Sequence, residues 1–128
     1  MTEIETGTQD LLATLDEGVA ILTLNRPQAR NAMSGEMNAA LLTMLADFEL
    51  NPEVKAVVLT GAGKGFCAGG DVKGMARSGD GTVGHNTIDG AIHQQRLHQR
   101  GTAGKLFKMP KPTLAALPGA AAGAGLSL

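Results

Sequence analysis

Gly61-Ala62-Gly63-Lys64-Gly65-Phe66-Cys67-Ala68-Gly69-Gly70-Asp71 decides how the rest of this chain is read. Five of these eleven residues are glycine, so the backbone can take positive φ angles and come close to a ligand. The run before it, Val54-Lys55-Ala56-Val57-Val58-Leu59-Thr60, has strand character. Asp71 is a good N-cap type and opens a short helical segment reaching Arg77. Orphan N–H donors and the dipole at a helix start favour a negative oxygen. The stretch reads as strand, glycine-rich turn and helix start, suited to holding an electronegative group through main-chain atoms.

A second unit of the same kind lies near the C-terminus. Thr113-Leu114-Ala115-Ala116-Leu117 reads as a short buried strand, and Pro118-Gly119 turns the chain. Ala120 to Leu128 then forms a small-residue loop running into a helix. Each unit can present one backbone N–H near a helix start. Two such donors on one oxygen make an oxyanion hole, which stabilises charge developing on a carbonyl. The spacing leaves open whether that charge sits on an enolate or on a tetrahedral oxygen.

Toward the N-terminus, Asp10 to Leu15 and Val19 to Leu24 read as two strands joined by Asp16-Glu17-Gly18, with Gly18 the position for φ > 0. Pro27 ends the second strand. Ser34 caps a helix on which Met37, Ala40, Leu41, Met44, Leu45 and Phe48 fall on one face. Glu36 sits in its first turn, and Asn51-Pro52 stops it. Residues 1–9 carry no strong pattern and are expected to be loosely ordered. Residues 78–87 are glycine-rich and expected to form a mobile surface loop. A helix weakened by glycines is expected over 88–107.

Composition narrows the function. The 128 residues carry a net charge of −1 with both signs scattered, which gives no electrostatic case for nucleic acid or a membrane surface. With no Trp, no Tyr and three Phe, no base-stacking platform can be built. The single cysteine, Cys67, forms no internal disulfide and fits a reducing, cytoplasmic compartment. The acidic start lacks signal-peptide character, and the uncharged stretch from Thr113 to Leu128 is too short to span a bilayer. That apolar, uncapped ending reads as a fragment or truncated product.

In order along the chain stand Leu24-Asn25-Arg26-Pro27, Asn31-Ala32-Met33, Leu59-Thr60-Gly61, Lys64 to Lys73 and Lys111-Pro112-Thr113 to Gly119. Together they resemble the N-terminal half of the crotonase superfamily, the enoyl-CoA hydratase/isomerase group, from about Leu11 to the last residue. The resemblance implies an α/β fold of ββα units wound into a superhelix, here truncated. Residues 1–128 would be the N-terminal part of one such domain. It implies an acyl-CoA thioester as ligand, coenzyme A entering as part of the substrate with no separate cofactor, and a trimer or hexamer at full length. Residue by residue, it places the oxyanion-hole amides at Gly70 and Ala124. Ala68, Gly69, Gly70 and Asp71 would lie along the thioester and pantetheine arm, and Arg26 and Ala29 would approach the CoA moiety. Gly123-Ala124-Gly125 stands where many members have three glycines, and an alanine N–H donates equally well.

Ser127 departs further, since hydratases of the group place a catalytic glutamate there. Water addition needs a base and an acid, typically two carboxylates, and serine supplies neither near neutral pH. Isomerase-type members that keep the oxyanion hole but move the acid/base fit these residues better than two-glutamate hydration. The rival reading is a non-catalytic acyl-CoA-binding or structural fragment. Other readings are weaker still. Gly61 to Gly65 lacks the Gly-Lys-Ser/Thr ending of a phosphate loop, and Phe66 breaks G-x-G-x-x-G. Cys67 reads as a packed residue rather than a nucleophile, and Asp71 as a cap rather than an acid. His85, His93 and His98 show no metal spacing.

Overall fold

The structure is a computed structural model that describes residues 2–69, 92–93, 96–97, 100–119 and 121. Its frame is a five-stranded mixed sheet in the order β1-β2-β3-β4-β5. The strands are β1 (Thr2–Ile4), β2 (Leu11–Asp16), β3 (Val19–Leu24), β4 (Ala56–Gly61) and β5 (Thr113–Ala116). The first three run antiparallel, and β4 and β5 add in parallel on the far side of β3. Helix α1 (Gly35–Leu50) supplies the crossover between β3 and β4, as a parallel pair requires. A short helix, α2 (Ala103–Lys108), precedes β5.

The β2–β3 hairpin closes through Glu17 and Gly18, at φ 49° and 86°, with Asp16 opposite Val19. Two consecutive positive φ angles define the turn that matches strand twist, and glycine takes its second position without strain. Period-2 alternation then puts Leu11, Ala13, Ala20, Leu22, Leu24, Val57 and Leu59 on one buried face. Helix α1 covers that core with Met37, Ala40, Leu41, Met44, Leu45 and Phe48, all buried as its spacing predicts. Ser34 caps it, its hydroxyl accepting from the Met37 N–H at 3.1 Å.

Two expectations change. Residues 1–9 are expected to be loosely ordered, yet Thr2–Ile4 pair with Ala13–Leu15 as an antiparallel strand. Three residues are too short for alternation to show, and the pairing is set by the partner strand. The second correction is β5, expected to be buried: all four of its residues are exposed. It is the last strand of the sheet, and no described strand pairs with its outer edge. Of the helix expected over 88–107, the described residues 92–93, 96–97 and 100–101 are helical, and α2 ends at Lys108, one residue past the expected limit.

Candidate functional site

The first glycine turn begins where β4 ends. The Ala62 N–H donates to Leu24 O at 2.8 Å, so the chain leaves the sheet still attached to β3. Gly61 has no room for a side chain. A Cβ there would stand 2.6 Å from Phe66 O and 2.7 Å from Gly65 O, so the loop folds directly back over its own origin. Gly63 adopts φ 79° and Gly69 φ 108°, both left-handed. Between them Phe66 and Cys67 are fully buried, anchoring the loop to the core, while Ala68 is exposed.

A second loop packs against this turn from the start of the chain. The Arg26 to Met33 segment contains a 3-10 turn, Pro27–Ala29, followed by Arg30 and Asn31 at φ 55° and 56°. Its main chain is laced to the glycine turn twice. Ala68 N–H donates to Arg30 O at 3.0 Å, and Met33 N–H donates to Gly69 O at 2.7 Å. The buried Asn31 side chain adds three more bonds. Its amide donates to Ala62 O at 2.8 Å and Gly65 O at 2.9 Å, and its oxygen accepts from the Arg26 N–H at 2.8 Å.

The second glycine unit meets the first directly. Cys67 and Ala121 form an isolated parallel bridge, and a Cβ on Gly119 would lie 2.0 Å from Lys64 O. The turns expected to converge therefore lie side by side as far as residue 121. Gly70, Asp71, Ala124 and Ser127, to which the sequence assigns the oxyanion amides, the cap and the departed glutamate position, lie outside the described residues. So do the 78–87 segment, His85 and His98.

Arg26 and Ala29 sit on the loop facing this turn, both half-buried. The Arg26 guanidinium is anchored to its own loop, donating from Nη1 to Ala32 O at 2.7 Å with Nε 3.9 Å from Asp10 Oδ2. Asp10 also accepts from the Ser34 hydroxyl at 2.6 Å, which ties the helix cap to the same network. Asn31 and Asp10 were not singled out from the sequence as supports. The signals for Asn31 were its place in the Asn31-Ala32-Met33 motif and its type, since asparagine tolerates the left-handed region and bonds to nearby main chain.

Residues 61–69 carry no carboxylate and no imidazole. Burial pushes the Cys67 thiol pKa up, against a smaller opposing effect of its backbone hydrogen bond at Gly69. A neutral buried thiol is a poor nucleophile. What this arrangement offers a ligand is peptide dipoles on a rigid support, rather than proton transfer from a side chain.

The enoyl-CoA hydratase/isomerase family profile matches residues 14–128. YngF of Bacillus subtilis, named for that family, is 39% identical over 123 residues, covering 95% of this chain and 44% of its own length. The 1,2-epoxyphenylacetyl-CoA isomerase of Escherichia coli is 36% identical over 118 residues, covering 92% of this chain and 43% of its own. The crystal structure of an enoyl-CoA hydratase/isomerase from Marinobacter aquaeolei superimposes with a TM-score of 0.82 at 32% identity, covering 94% of this chain and 46% of that one. The chain thus spans less than half the length of each of these relatives. With the paired glycine turns, the sheet order and these matches in agreement, the chain belongs to the enoyl-CoA hydratase/isomerase family of the crotonase superfamily.

Proposed function

We propose that the paired turns bind an acyl-CoA thioester and that the main-chain amides of Gly70 and Ala124 donate to its carbonyl oxygen as an enolate forms. One observation carries this reading. Two strand-turn units more than forty residues apart in sequence lie in register, through the Cys67–Ala121 bridge and the close approach of Gly119 to Lys64 O. Losing one oxyanion donor typically costs about 10²–10³ in rate. Isomerase-type chemistry is favoured over two-glutamate hydration, because Ser127 stands at the glutamate position. The Escherichia coli relative is itself named an isomerase. Assembly into trimers or hexamers, a role in fatty acid metabolism and a cytoplasmic setting go with the reading. No described helix is long and apolar enough to cross a membrane.

The test separates the two chemistries by absorbance of the conjugated thioester. With 3-hexenoyl-CoA a double-bond shift raises it, and with crotonyl-CoA hydration lowers it. A rise with the first and no change with the second is the expected outcome. Ser127 also favours a second reading, acyl-CoA binding without turnover. Binding with neither absorbance change would support that one, and absence of binding would sink both.

A further inference from the structure

We infer that Asn31 is a positioning residue for the oxyanion donor, setting the direction of the peptide that follows Gly69; this rests on the acyl-CoA reading above. The Met33 N–H holds the Gly69 carbonyl at 2.7 Å. In a trans peptide the carbonyl and the next residue's N–H point in opposite senses. Whatever fixes the Gly69 carbonyl therefore bears on the donor assigned to Gly70, which belongs to the same peptide unit. That segment is held in place by Asn31.

Its side chain is fully buried and satisfied at both ends, bridging the Arg26 N–H to the carbonyls of Ala62 and Gly65. These are the two sides of the glycine turn, so a single amide sets the gap between the turn and the loop beneath it. Arg30 and Asn31 themselves lie in the left-handed region, at φ 55° and 56°. Asparagine tolerates that region better than most residues, whereas for Arg30 beside it the surroundings must offset a cost. Here the surroundings include the loop's own backbone bonds, Asn31 N–H to Arg26 O among them, the three side-chain bonds, and the flanking pair Ala68 N–H to Arg30 O and Met33 N–H to Gly69 O. The group is polar, and what it touches is turn backbone.

Two variants test it. Asn31→Gly keeps the positive φ and deletes the amide, and Asn31→Asp keeps the acceptor for Arg26 N–H but loses both donors. Each is titrated with butyryl-CoA and with S-butyl-CoA, a thioether identical but for the missing carbonyl oxygen. The unmodified chain should prefer the thioester by about fivefold or more, as hydrogen bonds to that oxygen require. In both variants the preference should fall to about onefold, while thioether affinity stays within about twofold. Amide exchange at Met33 and Ala68 should quicken about tenfold or more in the same variants. Thioester preference retained in the variants would overturn the assignment to Asn31 and leave the acyl-CoA reading standing. No preference in the unmodified chain would instead overturn that reading and this inference with it. Loss of the cooperative thermal transition in both variants would make Asn31 a folding residue only, and would also overturn the inference.

Discussion

Cys67 is sealed beneath the glycine turn, where its thiol cannot ionise without placing a charge against the core. Burial raises its pKa in the fold above the unfolded value. The folded state then keeps a proton that the unfolded chain gives up first. The stabilisation is complete below the unfolded thiol pKa, about 8.5, and is lost as pH rises through the higher folded value. Denaturant midpoints measured from neutral to alkaline pH should therefore fall for the unmodified chain, and fall less steeply for Cys67→Ala. Parallel curves would mean that the thiol does not contribute. Gly61 and Gly119 show the same crowding in another form. At each, an added Cβ would strike turn backbone: Gly61 lets the first turn fold over its own origin, and Gly119 lets the second turn meet the first.

At the scale of elements, helix α1 depends on a partner far away in sequence. Its last turn holds no basic residue, yet the Lys111 ammonium donates to Phe48 O and Asn51 O at its C-terminal end. There the orphan carbonyls and the negative end of the dipole favour a cation. Lys111 also sits just before β5, so the same contact fixes where that strand begins. Replacing it in Lys111→Met should cost about 1–2 kcal/mol in urea unfolding, reduced in high salt. An unchanged midpoint would show that solvent serves those carbonyls equally well. This dependence also marks the limit of what the sequence made legible. The α1 stripe, its Ser34 cap and the β2–β3 turn were readable because each is written in spacing or in a residue type within a few positions. The capping role of Lys111 and the bonds from Asn31 to Ala62 and Gly65 were not, because they join residues 31 to 63 apart. The exposure of β5 was hidden for another reason. Thr-Leu-Ala-Ala is the same string whether or not anything covers it. The oxyanion roles of Gly70 and Ala124 came from the family resemblance alone, and both residues lie outside the described residues.

Among the described residues, the sheet has one well-covered face and one open flank. The core runs from β2 through β4 beneath α1, whereas Leu114 and Leu117 are 63% and 58% exposed and Phe107, at the end of α2, is 89% exposed. Edge strands that are apolar, uncharged and free of proline offer a template for another chain, and contiguous apolar surface adds to the attraction. Thr113–Ala116 has each of these properties and no described strand on its outer side. Lys111 cannot guard that edge, because its charge is turned inward onto α1. The 128-residue chain should therefore associate with itself as concentration rises, seen in sedimentation velocity as a growing weight-average mass. Leu114→Lys places a charge on the exposed strand without touching the buried core. It should suppress that growth while moving the thermal midpoint little, since an exposed site away from the core usually changes stability by within about 0.5 kcal/mol. If the unmodified chain keeps one mass across the concentration range, the open flank is not adhesive. If Leu114→Lys associates as strongly as its parent, the contact lies elsewhere on the surface.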